Sequence, residues 1–339
     1  MRAQEPWTPD PEPDWAALNL IGQSVPFKAA LALLQQCAAV DATVLLCGET
    51  GTGKELAARA IHYLSGRRSG PFVPINCGAL PDSILEAELF GHTRGAFTDA
   101  KAESRGVIGL ASGGTLFLDE IDSLSPRAQS AILRFVQDRS YRPLGSARIE
   151  QADLRLVAAT NADLDTLARA GRFRQDLLYR INVLSLELPP LRERDGDALF
   201  LARAFVQRLV RQYRTAPRTL DEASVEHLRS ALPWPGNVRE LEHCVHRAFL
   251  LASGTLLDLK LAVPAPGAGA ARLATACFAD AKARAICDFE RRYVRDVLER
   301  AGGNLSLAAR ISGKERSRFG KLVRKYGLQH PAIGPSGAD

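Results

Sequence analysis

Two short stretches of the sequence carry residues that can bind phosphate and activate water. The first, GETGTGKE from Gly48 to Glu55, follows the apolar run ATVLLC and precedes the alanine-rich segment 56–63. Glycines leave backbone N–H groups free to face phosphate oxygens, a following helix presents the positive end of its dipole, and Lys54 adds a cation. A strand, a glycine-rich turn and a helix in this order are typical of a P-loop, so this stretch predicts a nucleoside triphosphate site.

The second stretch, GGTLFLDE, places Asp119 and Glu120 at the end of an apolar run. A carboxylate at Asp119 can hold Mg²⁺, directly or through water, and Glu120 can orient and deprotonate the attacking water. Two acids that merely cap a strand at the surface are the alternative. Because a P-loop lies upstream, we favour the catalytic interpretation.

Two further pairs of polar residues follow apolar segments. The run LRLVAAT ends at Thr160 and Asn161, which could sense the γ-phosphate, although Asn after a strand is commonly part of a turn. FRQDLLYR places Arg174 and Arg180 on a short predicted helix. These arginines could reach phosphates bound by a neighbouring subunit, although solvated surface arginine is the more common case.

A parallel sheet is needed to bring these residues together. The predicted strands ATVLLC, PFVPINC, GGTLFLDEI, LRLVAAT and NVLSLELP alternate with helical segments, which favours an α/β fold with its ligand at the strand ends. From about Arg194 to Leu257 the apolar spacing is helical only, which indicates a small helical lid. We predict a disordered extension over 1–18, the α/β domain over 19–193, the lid over 194–260, a linker over 261–278, a DNA-binding domain over 279–330 and a tail over 331–339.

Composition limits the class of protein. The 339 residues are 46% hydrophobic and 24% charged, which is typical of a soluble globular protein. No apolar run is long enough for a membrane helix, the N-terminus lacks the pattern of a signal peptide, and six cysteines are scattered without CxxC spacing. These features predict a cytoplasmic protein.

The C-terminal segment is strongly basic. Residues 282–325 contain 13 Lys or Arg and five Asp or Glu, a local charge of +8 in a chain whose net charge is +6. Asn304 can cap the segment LSLAARI, and Ser312–Gly313 can form the turn before a last helix with Phe319, Leu322, Val323 and Tyr326 inward. Helix, tight turn and basic helix predict a helix-turn-helix that binds double-stranded DNA. A solvated basic face is the alternative. The DNA-contacting candidates are Lys314, Arg316, Ser317, Arg318, Lys321 and Arg324.

Six motifs in order make the chain similar to a known family. GETGTGKE, ELFGHTRGAFTDA, GGTLFLDE, AATN, GRFRQDLLYRINV and WPGNVREL occur as in bacterial enhancer-binding proteins, the AAA+ activators of sigma-54 RNA polymerase. The resemblance covers about Asn19 to Leu257, and a Fis-like helix-turn-helix follows. It implies an AAA+ P-loop NTPase in the bacterial cytoplasm that uses ATP and Mg²⁺. It also implies a hexameric ring that couples ATP hydrolysis to remodelling of sigma-54 RNA polymerase at promoters while bound to upstream DNA.

The same resemblance implies roles for individual residues. Asn76 would restrain Glu120 until the nucleotide state is right, and Arg174 and Arg180 would be arginine fingers acting across a subunit interface. Arg239 would be the sensor in the lid, and Glu after the P-loop lysine is usual in this family. Mg²⁺ would lie at Asp119 and Glu120. The nucleotide-contacting candidates are Ile21, Gly22, Gly48, Glu49, Thr50, Gly51, Thr52, Gly53, Lys54, Glu55, Thr160, Asn161 and Arg239.

GAFTDA resembles the family's loop that contacts sigma-54, which most often reads GAFTGA. An exposed Phe97 on a loop flanked by glycine is expected of a contact element, although a partly buried aromatic that anchors the loop is the alternative. Asp99 replaces the second glycine of the family motif. The contact candidates are Gly95, Ala96, Phe97, Thr98, Asp99 and Ala100.

The sequence leaves open how the protein is controlled, and it allows two alternative functions. We expect no receiver domain ahead of the ATPase, so control would come from expression level, a separate inhibitor protein or a partner subunit. One alternative function is a DNA-binding regulator of this fold that acts on the ordinary polymerase without remodelling sigma-54. Another is an AAA+ motor of DNA repair or protein unfolding, which the sequence-specific type of DNA module argues against.

Overall fold

The computed structural model describes residues 13–96, 102–230 and 232–259, together with residues 294, 297–298, 301, 304–312 and 316–325. The chain divides into two compact units, Met1–Val263 and Pro264–Asp339. No helix among the described residues is both long and apolar enough to cross a membrane.

A five-stranded parallel sheet forms the centre of the first unit, as predicted. Its strands are β1 (Val44–Cys47), β2 (Phe72–Asn76), β3 (Thr115–Asp119), β6 (Arg155–Thr160) and β7 (Leu184–Glu187). They are ordered β2-β3-β6-β1-β7, so β6 lies between the strand that precedes the P-loop and the strand that carries the two acids. The register pairs Cys47 with Thr160 and Asn76 with Asp119, which brings the carboxyl ends of four strands to one edge. Four described strands of two residues each lie outside this sheet and form two separate pairs, β4 (Ser140–Tyr141) with β5 (Glu150–Gln151) and β8 (Thr219–Leu220) with β9 (Leu256–Leu257).

Helices cover both faces of this sheet. Alternate residues of a strand point to opposite faces, and accordingly Leu116 and Leu118 join one apolar cluster while Phe117 joins the other. The central strand β6 is buried along its whole length, as expected of a strand covered on both sides. The helices of this unit are α1 (Val25–Ala39), α2 (Lys54–Tyr63), α3 (Asp82–Phe90), α4 (Gly106–Leu110), α5 (Pro126–Asp138), α6 (Leu164–Arg169), α7 (Gln175–Ile181), α8 (Asp197–Tyr213), α9 (Glu222–Arg229) and α10 (Asn237–Leu251).

The lid consists of α8, α9 and α10 around its own apolar cluster. The lid is helical as predicted, and a short pair of parallel strands, β8 and β9, lies within it as well. Each of these strands has two residues, which is too short to produce an alternating apolar pattern in the sequence.

The N-terminal extension differs from the prediction. Part of the extension that we expected to be disordered is ordered: residues 15–19 form turns, and Trp15 and Leu18 pack partly buried against the cluster that includes residues of α1 and α2. The two apolar side chains explain the difference, since burying them against the sheet stabilises an ordered turn. Residues 1–12, the linker over 261–278 and the tail over 331–339 lie outside the described residues.

In the second unit the structure describes two helices, and residues 313–315 between them, including Gly313 of the predicted turn, lie outside the described residues. The helices are α11 (Leu305–Ile311) and α12 (Arg316–Lys325). The side-chain oxygen of Asn304 accepts hydrogen bonds from the N–H groups of Ser306 and Leu307, so the predicted cap of α11 is confirmed. Phe319 and Val323 are buried and Leu322 is partly buried, which agrees with the predicted inward face of α12.

Candidate nucleotide-binding site

The loop between β1 and α2 has the geometry that phosphate binding requires. Gly53 precedes α2 in the left-handed region, with φ of +104°, and no side chain caps the start of the helix. The N–H groups of the first helical turn therefore have no side-chain partner and remain available to an anion. Any residue other than glycine would be strained in this backbone conformation.

Lys54 is the first residue of α2, and its ammonium group lies within the loop. It donates hydrogen bonds to the carbonyl oxygens of Gly48 and Glu49, at 2.8 and 3.0 Å. Burial lowers the pKa of Lys54, while the nearby carboxylates of Asp119, Asp122 and Glu120 oppose that shift. The lysine thus lies close enough to the acids at the end of β3 to interact with them electrostatically.

Asp119 ends β3, and Glu120 follows in the left-handed region with φ of +54°. The Asp119 carboxylate accepts a hydrogen bond from the Glu120 N–H at 3.0 Å. Burial raises the pKa of Asp119, and this hydrogen bond and the charge of Lys54 oppose the shift. The surface-cap alternative does not fit, because both acids line a cleft with Lys54.

These residues fit a magnesium ion that is completed by phosphate. Within the described residues no group of three or more His, Cys, Asp or Glu could hold a metal by itself. Mg²⁺ is commonly held by one or two carboxylates together with phosphate oxygens and water. Asp119 and Glu120 supply such carboxylates beside the P-loop lysine, so the donor set suits Mg²⁺ delivered with a nucleotide.

The side chains of Asn76 and Glu120 both lie close to Gly78. The amide oxygen of Asn76 accepts a hydrogen bond from the Gly78 N–H at 2.8 Å. A Cβ atom on Gly78 would overlap the Glu120 carboxylate and would lie 3.5 Å from the Asn76 amide oxygen. Asn76 and Glu120 therefore converge on Gly78, but among the described contacts they share no direct hydrogen bond.

Thr160 and Asn161 face different partners. The buried Thr160 hydroxyl donates to the Asp122 carboxylate at 2.6 Å, so it supports the loop that follows Glu120. The Asn161 amide donates to the Thr50 hydroxyl of the P-loop at 3.0 Å. Of the predicted sensing pair, Asn161 alone lines the cleft.

A cleft of about 220 Å³ contains most of the predicted nucleotide-contacting residues. Arg239 of α10 also lines it and electrostatically opposes protonation of Lys54, which places a lid arginine near the P-loop lysine. Glu55 lines it too and forms an exposed ion pair with Arg59 at 2.8 Å. The predicted residues in the cleft are Thr50, Gly51, Gly53, Lys54, Glu55, Asp119, Glu120, Asn161 and Arg239.

The other predicted nucleotide contacts lie outside this cleft. Thr52 is buried and donates its hydroxyl to the Glu49 carbonyl at 2.9 Å. Ile21 packs against the lid cluster, and Gly22 lies against Arg194 and Asp197 at the start of the lid. Gly48 and Glu49 line a separate cleft beside α1.

A buried ion pair fixes the segment that contains Ile21 and Gly22. Arg194 and Asp197 are each almost fully buried and lie 2.8 Å apart. Arg194 donates to the Ile21 carbonyl at 2.8 Å, and Asp197 accepts from the N–H and hydroxyl groups of Ser24 at 3.0 and 2.9 Å. The lid thus holds the N-terminal end of the α/β domain through charged groups that solvent does not reach.

One polar residue that contacts the P-loop was not predicted from the sequence. Asn237 is fully buried at the start of α10, and its side chain bonds to Glu49, to Thr50 and to the backbone of Leu191. The only available signal was an Asn after Pro-Gly in WPGNVREL, which is also typical of an ordinary turn before a helix.

Arg174 and Arg180 lie on the surface outside the cleft. Arg174 immediately precedes α7, where it pairs with Asp176 at 2.6 Å and donates to the Ser130 hydroxyl at 3.2 Å. Arg180 is exposed on α7 beside Tyr179, whose exposed fraction is 71%. Neither arginine lines the cleft of its own chain.

The GAFTDA stretch is only partly described. Gly95 has φ of +82°, Ala96 is partly buried, and residues 97–101 lie outside the described part of the chain. The base of this loop is held by backbone hydrogen bonds between Leu144 and the residues Gly91 and Thr93, at 2.9 and 3.0 Å. The contact candidates Phe97, Thr98, Asp99 and Ala100 therefore stay predictions.

The DNA candidates fall on α12 or just before it. Arg316, Ser317 and Lys321 are exposed, while Arg318 and Arg324 belong to the helix and their side chains are not described. Lys314 lies outside the described residues. Ser317 and Lys321 lie opposite the buried face of Phe319 and Val323, as expected of a DNA-reading helix, whereas Arg316 lies on the side of Val323 at the exposed start of the helix.

Comparison with known proteins places the chain in a family. Residues 20–187 match the sigma-54 interaction domain, residues 192–265 the AAA+ ATPase lid domain, and residues 285–326 the Fis family of bacterial regulatory proteins. The chain is 41% identical to the alginate biosynthesis transcriptional regulatory protein AlgB of Pseudomonas aeruginosa, an alignment that covers 91% of this chain and 68% of AlgB. It is 42% identical to the transcriptional regulatory protein ZraR of Klebsiella oxytoca, covering 94% and 71%. The chain belongs to the sigma-54-dependent transcriptional regulators.

Solved structures agree with this assignment. The regulator is 29% identical to NtrX of Brucella abortus, and the comparison covers 91% of the regulator and 69% of NtrX. The TM-score is 0.69 against NtrX in complex with ADP and 0.68 against NtrX in complex with ATP. The predicted AAA+ fold with a parallel sheet, a helical lid and a C-terminal helix-turn-helix is confirmed.

Proposed function

We propose that this sigma-54-dependent regulator is an ATPase that couples ATP hydrolysis to the opening of promoter complexes by sigma-54 RNA polymerase. The observation that carries the proposal is the cleft in which Lys54, Asp119, Glu120 and Arg239 converge. These four residues supply a phosphate-binding cation, a metal ligand, a base for water and a lid cation.

Each group has a defined part in the proposed reaction. The uncapped start of α2 and Lys54 bind the phosphates, and Lys54 must leave its carbonyl partners in the loop to do so. Asp119 would hold Mg²⁺, which would supply positive charge against the phosphates. Glu120 orients a water molecule in line with the γ-phosphate and accepts its proton. Asn76, which meets Glu120 at Gly78, restrains that carboxylate.

The proposed active form is a homohexameric ring. Arg174 and Arg180 are exposed and lie outside the cleft of their own chain, which suits residues that complete the site of a neighbour. An arginine supplied in this way stabilises charge in the transition state. Hydrolysis would then depend on assembly, and a partner subunit or inhibitor could regulate it by changing that assembly.

Two further elements would make the contacts with sigma-54 and with DNA. The GAFTDA loop would contact sigma-54, and its base is tied to Leu144, which lies between α5 and β5 in the chain. The exposed residues of α12 would bind double-stranded DNA upstream of the promoter. Within this division of tasks, hydrolysis, sigma-54 contact and DNA binding should be separable by mutation.

The deciding experiment compares three variants in ATPase, nucleotide-binding and promoter-melting assays. Glu120→Gln should bind ATP and fail to hydrolyse it, because the water-activating carboxylate is lost. Lys54→Ala should lose tight ATP binding, since the phosphates lose their main cation. Thr98→Ala should hydrolyse ATP normally and fail to melt a sigma-54 promoter. Wild-type hydrolysis by Glu120→Gln would contradict the catalytic assignment.

The same assays separate the proposal from the regulator that acts on the ordinary polymerase. A wild-type protein that never binds sigma-54, or a Thr98→Ala protein that still melts a sigma-54 promoter, would favour that alternative. Removing the residues after about Ala271 should abolish site-specific DNA binding and leave ATP hydrolysis intact. A truncated protein that still protects the promoter-upstream site from nuclease would contradict the DNA assignment.

A further inference from the structure

The side chain of Asn237 joins the lid to the P-loop. Its amide oxygen accepts a hydrogen bond from the Leu191 N–H at 2.7 Å. Its amide nitrogen donates to the Thr50 carbonyl at 3.0 Å and to the Glu49 carboxylate at 3.1 Å. The residue has φ of +51°, a left-handed conformation that Asn tolerates better than most residues. Both the oxygen and the nitrogen of its side-chain amide are therefore hydrogen-bonded to residues far away in the sequence.

Glu49 is the negatively charged component of this junction. Arg192 donates to the two oxygens of the Glu49 carboxylate at 2.7 and 2.8 Å, which is the bidentate arrangement typical of strong arginine pairs. Hydrogen bonds from Arg192 and Asn237 lower the pKa of Glu49 to about 2. Glu49 is thus an anion at every physiological pH.

These contacts fix two peptide groups of the P-loop. The Thr50 carbonyl points to Asn237, and the Gly51 carbonyl accepts from the Val238 N–H at 3.1 Å. In a trans peptide the N–H points opposite to the carbonyl of the same group. The N–H groups of Gly51 and Thr52 are therefore directed away from the start of α10.

We propose that Asn237 is a positioning residue for nucleotide binding, which orients the P-loop peptides at Thr50 and Gly51 from the lid and depends on the anionic Glu49. The proposal rests on the proposed function, because it assigns a role in binding the same nucleotide. Asn237 acts through the P-loop backbone and does not line the cleft itself.

The test is a double-mutant cycle at positions 49 and 237. Asn237→Asp keeps the shape of the side chain and the acceptor for Leu191, but it removes both donors and places a carboxylate against Glu49. We expect affinity for a fluorescent ADP analogue to fall about tenfold, since two bonds to buried or charged acceptors are lost. KM for ATP should rise in parallel while kcat changes by less than about twofold.

The second substitution separates positioning from general stability. Glu49→Gln in the Asn237→Asp background supplies an amide that can donate to the new carboxylate, so affinity should recover by about threefold or more. Glu193→Gln is the matched control, because Glu193 is an exposed carboxylate 3.7 Å from Arg192 that is not bonded to Asn237. It should leave nucleotide affinity unchanged.

Several outcomes would overturn the proposal. One is a folded Asn237→Asp protein with wild-type affinity, and another is a double variant whose loss equals the combined losses of the single variants. If neither Asn237→Asp nor the double variant folds, Asn237 is a stability residue only and the proposal is wrong. Failure of the wild-type protein itself to bind the analogue or hydrolyse ATP would instead contradict the proposed function.

Discussion

Replacing two P-loop glycines by alanine should test how closely the lid approaches the loop. Gly51 and Gly53 both have positive φ, +80° and +104°. A Cβ atom at Gly53 would meet no other atom within 4 Å. Gly53→Ala should therefore cost only the strain of a left-handed alanine, about 1–2 kcal/mol of unfolding free energy.

Gly51→Ala should cost more, because its Cβ would overlap the Gly236 carbonyl oxygen of the lid and lie 3.1 Å from the Arg239 Cβ. The first neighbour is a backbone atom and the second is bonded directly to the backbone. Neither can rotate away by a change of rotamer, so the lid must move to accommodate the methyl group. That movement breaks the 3.1 Å hydrogen bond from the Val238 N–H to the Gly51 carbonyl. The lost bond and the displaced contacts add about 1–3 kcal/mol to the same backbone strain.

Thermal unfolding of the nucleotide-free, full-length protein gives the readout. For a unit of this size the difference corresponds to a Tm that is roughly 2–10 °C lower for Gly51→Ala than for Gly53→Ala. Circular dichroism at 222 nm should follow the transition at matched protein concentrations. If Gly53→Ala unfolded at the same temperature as Gly51→Ala, or below it, the inferred contact between the P-loop and the lid would be wrong.

Three further predictions concern charged groups of the first unit. Asp119→Asn should raise the Tm of the nucleotide-free protein at neutral pH, because the raised pKa of Asp119 means that its ionisation opposes folding; the difference should vanish as pH falls below the carboxyl pKa values. Asp197→Ala should lower the unfolding free energy in urea by about 3–5 kcal/mol, since Arg194 would stay buried without its partner. Asp176→Ala removes an exposed pair and should have a much smaller effect. Arg174→Ala subunits mixed into wild type should reduce ATPase activity more than dilution alone, and a strictly proportional loss would argue against action between subunits.

The sequence was sufficient to predict the elements that hold the nucleotide site. All five strands of the sheet were predicted because each is an apolar run bounded by polar or glycine-containing segments. Asp119 and Asn161 each follow such a run, and the ends of parallel strands meet at one edge. The cleft therefore follows from local patterns together with one rule of sheet topology.

Contacts between distant polar residues could not be predicted in the same way. Glu49 and Asn237 are 188 positions apart, and Glu49 and Arg192 are 143 apart. A charged residue in a glycine-rich loop and an Asn after Pro-Gly each have an ordinary local explanation. Thr160 illustrates the same limit, because its position after a strand gave no indication that its hydroxyl bonds to Asp122.

Among the described residues, polar and charged groups tie the lid to the α/β domain at two points that bear on how the two move together. One is the buried Arg194–Asp197 pair, which holds the Ile21–Ser24 segment, and the other is the junction of Asn237 with the P-loop. Both depend on directional hydrogen bonds to charged or buried groups, which weaken steeply with distortion. A change of P-loop conformation therefore either moves the start of α10 with it or breaks the hydrogen bonds between Asn237 and the P-loop. The bonded and broken arrangements are two alternative states, and nucleotide binding can move the lid only if it favours one of them over the other.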